Sequence, residues 1–251
     1  MSKTVTHLAH FTTLKALKSM FDFNGKNHAL HFRATIYNQM NDGNEGLILR
    51  NKYFTHFKKK NKRQQELNEW IEVNGEPFVI SFIEANLGNS AEGISKNVTM
   101  WQSYGSNGKG IILVLDFDDN TDLNGWKLIK CEYLSNTDAY TQAKGLNALK
   151  SIKDEDLNEL FIKTKGKEWE HEKEWRLYKN CKLEEICPCA ITQHKIVEFS
   201  YVDIPFSNLN RIIIGNQLNY ETTTKAIIHL FKKTGYANQL KIERSSLNLS
   251  D

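Results

Sequence analysis

Apolar residues recur along this chain in two rhythms, and together they predict a mixture of helices and strands. Leu14, Leu17, Met20 and Phe21 fall at helical spacing, with Thr12 or Thr13 placed to cap the helix. A short strand or loop ahead of it delivers His10 to the helix start. Residues 30–32 read as a short strand, and Asn41-Asp42-Gly43 signals a turn inside a polar loop. A polar helix follows over residues 53–73. Residues 77–83 are apolar and β-rich, which predicts a strand. A helical turn over 97–104 carries Met100, Trp101 and Tyr104, and the glycines of 105–110 form a loop.

The unbroken apolar run within residues 110–116 is the best candidate for a buried strand. Further strands are expected over 126–133, 173–179, 196–201, 210–214 and 239–243. One or two helices span 138–165, and an amphipathic helix spans 220–233 through Ala226, Ile227, Leu230 and Phe231. Strands and helices are interspersed without regular βαβ alternation. That order predicts an α+β fold with mixed, mainly antiparallel sheets and flanking helices, not a doubly wound parallel sheet.

The 251 residues suffice for a sizeable core, and 40% hydrophobic with 25% charged residues is a globular composition. Only Pro77, Pro188 and Pro205 occur, and no Pro-rich linker marks a seam, so a single domain over 1–251 is expected. The N-terminal residues lack an apolar secretory segment, and no apolar run approaches the ~20 residues that span a bilayer. These features predict a cytoplasmic protein with no membrane partner. Cys131, Cys181, Cys187 and Cys189 then read as reduced thiols. Three of them with His194 have the composition of a zinc site, but the spacing fits no standard knuckle and Cys187-Pro188-Cys189 is tight for two ligands of one tetrahedral ion, so they read as ordinary loop cysteines.

A net charge of +3 is mildly basic. Lys58, Lys59, Lys60, Lys62 and Arg63 lie beside Tyr53, Phe54 and Phe57, a composition that can neutralise phosphates but that reads first as a solvated helix face or loop.

The segment from Trp169 to Leu177 is the most informative for chemistry. On a strand, Glu172, Glu174 and Arg176 share one face and Trp175 and Leu177 the other. Two carboxylates two residues apart can act on one small site, one polarising a substrate hydroxyl and the other positioning a nucleophile. A solvated sheet face with Arg176 as a salt-bridge partner has the same pattern. Ser81 sits near the end of a predicted strand, where a pocket residue or a cap are both common. Trp101 and Tyr104, three apart on one predicted helix face, suit stacking of a flat ligand and also plain core packing. Gly105, Gly108 and Gly110 lack the strand before and the helix after that a phosphate loop requires. Asp116, Asp118 and Asp119 form an acidic strand end. No nucleophile elbow, phosphate-loop lysine motif or His-Glu-x-x-His occurs.

In order along the chain stand His-Phe-Thr before a helix, an Asn-Asp turn, Ser-Phe, Trp-x-x-Tyr-Gly, Glu-x-Glu-Trp-Arg and Ile-Gly. This succession resembles a bacterial family that recurs among abortive-infection and phage-defence genes, and that family in turn resembles the ADP-ribosyltransferase fold. The resemblance implies an enzyme that splits NAD at the nicotinamide ribose and passes ADP-ribose to a macromolecular acceptor. NAD is then the co-substrate, and no metal is required. It places His10 and Thr12 at the NAD ribose, Ser81, Trp101 and Tyr104 around nicotinamide, and Glu172 and Glu174 at the catalytic centre, Glu174 foremost. Arg176, a feature of the bacterial family, would bind a phosphate or orient a glutamate. The implied role is a toxin in antiviral defence, with RNA or DNA slightly favoured over protein as acceptor and with an antitoxin partner.

Two other classes fit parts of the same sequence. A metal-dependent nuclease would use Asp116 or Asp118 with Glu172 and Glu174. A non-catalytic binding module would keep His10 and Glu174 for structure alone.

Overall fold

The computed structural model describes residues 5–21, 28–37, 48–57, 62–85, 92–118, 121, 123–135, 143–191 and 196–247. In chain order, β1 is Thr6–Thr12, α1 Leu14–Ser19, β2 Ala29–Ile36, α2 Ile48–His56, α3 Lys62–Asn74 and β3 Glu76–Glu84. Next come α4 at Glu92–Ser95, α5 at Val98–Ser103, β4 at Ile111–Phe117, β5 at Lys127–Lys130 and β6 at Glu132–Leu134. Then α6 is Ala143–Ala148, α7 Asp154–Lys163, β7 Thr164–Gly166, β8 Glu174–Cys181, β9 Cys187–Ile191 and β10 Ile196–Pro205. The last are β11 at Leu209–Ile214, α8 at Tyr220–Lys232 and β12 at Ile242–Arg244. The architecture is α+β with mostly antiparallel strand pairs.

The chain divides into two compact units of interleaved segments. The first comprises Met1–Phe32, Phe82–Asn124 and Val202–Asp251, the second Arg33–Ser81 and Gly125–Tyr201. Three of the divisions fall inside β2, β3 and β10. A linker search along the sequence has nothing to detect at such divisions.

In the first unit the order is β12-β11-β4-β1, continued by the C-terminal end of β3. β1 pairs antiparallel with β4 over its whole length, from Thr6↔Phe117 to Thr12↔Ile111. The other edge of β1 meets β3 at Leu8↔Glu84 and Ala9↔Ile83. Residues 111–115 of β4 are fully buried, which explains an apolar run with no polar alternation: both faces of this strand are covered. β12 lies parallel to β11, a minority arrangement here. Asn219 caps α8 by accepting from the Thr222 N–H at 3.0 Å, and Thr223, Ile227 and Phe231 repeat every fourth residue on its buried side.

A glycine permits a close backbone approach in this unit. A Cβ on Gly215 would stand 2.1 Å from the Gly108 carbonyl oxygen. The Gly215 N–H donates to the Gly110 carbonyl at 3.0 Å, and the Gln217 N–H to that of Gly108 at 3.1 Å. The glycine loop thus serves backbone packing.

In the second unit, α2, α3, α6 and α7 close over one core of Leu49, Tyr53, Phe57, Leu67, Ile71, Leu146, Leu157 and Phe161. β5 pairs antiparallel with β8, Lys130 opposite Trp175, and β8 also pairs with β3. β6 and β7 form a separate parallel ribbon with Tyr133 opposite Lys165.

Several expected elements are corrected here. The strand expected over 126–133 breaks at Cys131, whose N–H turns to the Glu174 carbonyl at 2.9 Å. The stretch 138–165 ends in β7 instead of continuing as helix. The strand expected from 173 begins one residue later, because Lys173 takes a left-handed conformation with φ 47°. Residues 187–191, read as loop, form β9. Among the described residues no helix is long and apolar enough to cross a membrane.

Candidate functional site

The second unit concentrates charge where a protein ordinarily avoids it. Lys165, Glu172, Glu174 and Arg176 are each at most 3% exposed. Burial of an isolated charge is prohibitive, so such groups persist only when paired and hydrogen-bonded. Here two cations face two carboxylates.

Glu174 is the hub. It opens β8, and Arg176 follows on the same face two residues on. The Arg176 Nε donates to Glu174 Oε1 at 2.8 Å and Nη2 to Oε2 at 3.3 Å, while Nη1 donates to the Ile162 carbonyl at the end of α7. Lys165 Nζ donates to Glu174 Oε2 at 2.9 Å and also to Glu172 Oε2. The Ser81 hydroxyl, from β3, donates to Glu174 Oε1 at 2.6 Å. A carboxylate has about four acceptor positions, and those of Glu174 are filled. Its own N–H donates to the Tyr133 hydroxyl oxygen at 2.6 Å, which ties β8 to β6.

The strand reading put Glu172 beside Glu174 through alternation, and the structure corrects this. Glu172 ends a 3-10 turn over Lys167–Glu172, and the left-handed Lys173 separates it from β8. The two carboxylates nonetheless meet at Lys165 Nζ, which donates to both. The solvated-face reading is corrected as well, because these side chains are buried.

Burial pushes the Glu174 carboxyl up, but Arg176 and Lys165 outweigh it and hold the group at about 2. Burial opposes the charge of Lys165 too, and the two glutamates reverse that, keeping it above its usual range. Burial and then Glu174 push the Cys131 thiol up to about 12, which leaves it protonated and unreactive. Burial raises the Tyr37 phenol to about 12, against the pull of Arg176 and Arg50, and its hydroxyl donates to the Phe161 carbonyl at 2.6 Å. The centre is therefore a fully ionised carboxylate among fixed donors, able to stabilise positive charge but unsuited to act as a general acid.

Of the residues singled out from sequence, Ser81, Glu172, Glu174 and Arg176 come together in this cluster. His10, Thr12, Trp101 and Tyr104 belong to the first unit. There His10 packs between the rings of Phe32 and Phe82, at 5.2 and 5.5 Å between centroids. Thr12 is buried at the end of β1. Trp101 has no exposed surface; its indole N–H donates to the Ser95 carbonyl at 2.9 Å and its ring meets Phe11 edge-on at 5.3 Å. Tyr104 is 38% exposed and stands just past α5 with φ −121°. The two aromatics do not share a helix face, because the helix ends before the second.

Asp116 is held by His7 at 2.6 Å and by the Asn210 amide at 2.8 Å, and Asp118 accepts from the Thr121 hydroxyl at 3.1 Å. Among the described residues no three His, Cys, Asp or Glu are grouped to hold a metal ion. Cys131, Cys181 and Cys187 are free thiols, while His194, Asp119, the Asn41 turn, residues 58–60 and the Cys189 side chain lie outside the described residues. Arg63, from the basic run, is engaged by Asp154 at 2.6 Å and by the Ile152 carbonyl at 2.7 Å, while the Lys62 side chain is 90% exposed.

Lys165 is the member that sequence reasoning missed. It stands in Lys163-Thr164-Lys165-Gly166-Lys167, where nothing distinguishes it from its solvated neighbours.

Residues 100–177 match a family described as "Protein of unknown function (DUF2971)". The match covers less than half of the chain; it includes Lys165, Glu172, Glu174 and Arg176 but not Ser81. No curated protein and no solved structure matches the chain.

Proposed function

We propose that this chain is an NAD-dependent ADP-ribosyltransferase of ADP-ribosyltransferase-like fold, acting as a toxin in bacterial antiviral defence, with Glu174 as its catalytic carboxylate. The observation that carries the reading is the Ser81–Glu174 hydrogen bond at 2.6 Å, which joins residues 93 positions apart. A middle-strand serine and a late-strand glutamate are the pair that the motif order implies for one site. The ionised state of Glu174 suits the chemistry. As the bond between ribose and nicotinamide breaks, its electron pair leaves with nicotinamide and positive charge grows on the ribose. A carboxylate accepting from a ribose hydroxyl stabilises that charge more in the transition state than in the ground state. Glu172 would position the acceptor nucleophile, and Arg176 would orient Glu174.

Access sets the one demand on this reading. With its acceptor positions filled, Glu174 can take a ribose hydroxyl only by releasing a donor. Ser81 is the neutral donor, and exchanging one hydroxyl for another leaves both ion pairs intact. The acceptor is a macromolecule, with RNA or DNA slightly favoured over protein by the mildly basic net charge and the basic run around Lys62.

A second reading is favoured by one observation: Glu174 is 3% exposed. In that reading the cluster is a structural core of charge, and the chain is a binding module. Incubation with labelled NAD and cell lysate separates the two. The transferase reading expects label on a macromolecule, removed by nuclease treatment. Absence of both label and nicotinamide release from the wild type removes it in favour of the binding module.

A further inference from the structure

We propose that Lys165 is the positioning residue of this cluster, the cation that holds the Glu172 and Glu174 side chains side by side. The geometry leads there from three sides. First, Arg176 spends its three donating nitrogens on Glu174 and on the Ile162 carbonyl, so the bonds it is seen to make do not reach Glu172. Second, Lys165 Nζ donates to a carboxylate oxygen of each glutamate and lies 5.3 Å from the Trp169 ring centroid. A quadrupolar ring face is a favourable third neighbour for an ammonium group. Third, the backbone aims it. The Thr164 hydroxyl donates back to the Leu160 carbonyl at 2.6 Å at the end of α7, and β7 then pairs with β6 so that Lys165 stands opposite Tyr133.

The charge balance makes this testable. The groups facing Lys165 include Glu172 and Trp169 of the 3-10 turn and Glu174 of β8, with Tyr133 of β6 and Cys131 nearby; Arg176 Nε and the Ser81 hydroxyl sit on the other oxygen of Glu174. Two cations against two carboxylates are neutral. Replacing Lys165 by methionine, of similar length and no charge, leaves one negative charge in excess. Two unequally paired carboxylates in one buried place do not both stay ionised, so one should take up a proton.

The experiment is infrared spectroscopy of the protonated-carboxyl band at neutral pH, identified by its shift in D2O. Lys165→Met should gain one such band. The wild type, Lys165→Arg and Lys165→Met/Glu172→Gln should lack it, the double variant because it is neutral again. A folded Lys165→Met without the band, or a double variant that shows it, overturns the proposal. If Lys165→Met does not fold, the double variant decides: recovery of the native circular dichroism supports the proposal, and failure to recover overturns it.

Where activity is concerned the inference rests on the transferase reading. There the acidic limb of kcat/KM against pH should move to higher pH in Lys165→Met and return in Lys165→Arg. A wild type that releases no nicotinamide sinks the transferase reading and leaves the infrared result standing.

Discussion

The two units each hold an acid–base cluster, and the clusters differ in what surrounds them. In the first unit, Asp116 pairs with His7 at 2.6 Å and accepts from Asn210, but the two paired side chains are 33% and 31% exposed. In the second, Glu172 and Glu174 share Lys165, Glu174 also pairs with Arg176, and all four side chains have nearly no exposure. Water can replace either partner in the first cluster. Nothing replaces a lost partner in the second, so the same kind of contact carries a much larger penalty when broken.

Arg176→Met should therefore have the largest effect. It strips Glu174 of two hydrogen bonds and leaves a buried negative charge, at a cost of roughly 3–5 kcal/mol. Urea unfolding followed by tryptophan fluorescence reads this directly. A loss below 1 kcal/mol would mean that water reaches the cluster.

The pH dependence sharpens the contrast. The folded Glu174 carboxyl sits at about 2, below its ordinary value of 4.5. A depressed carboxyl contributes stability above its unfolded value and loses that contribution as pH falls through its folded one. The contribution of Glu174 should accordingly be complete above about pH 4.5 and fade between there and pH 2. Glu174→Gln should flatten the stability curve in that window.

His7→Ala should cost about 1 kcal/mol or less, as is typical of a solvent-screened pair. The smallest effect is expected at Lys173, an exposed residue with φ 47°. Lys173→Gly relieves the left-handed backbone but adds freedom to the unfolded chain, for a net gain of a few tenths to about 1 kcal/mol in chemical unfolding. A loss instead would show that the lysine side chain contributes to the turn leading into β8.

The same comparison explains what could be read from the sequence. β4 and α8 were legible because burial on two faces and burial on one stripe leave distinct rhythms. Glu174 and Arg176 were legible because they are two apart on a real strand. Glu172 was misplaced because a lysine, not a glycine, adopts the left-handed turn before β8, and lysine carries no turn signal. Lys165 was invisible because its role depends on β6 lying beside it, a long-range pairing that no local pattern encodes. The depth of the cluster was equally hidden: Glu-Lys-Glu-Trp-Arg reads as surface until its counter-charges are located. The division into two interleaved units leaves no composition change where it cuts β2, β3 and β10.

The most direct test of the central claim is nicotinamide release from NAD by wild type, Glu174→Gln and Glu174→Asp, each first shown to keep native circular dichroism. The second variant retains the charge balance and withdraws the carboxylate by one methylene. A catalytic Glu174 predicts release by the wild type, and a loss on the order of 100-fold or more in Glu174→Gln with a marked loss in Glu174→Asp. Release at the wild-type rate by folded Glu174→Gln would contradict it and return the buried cluster to a purely structural role.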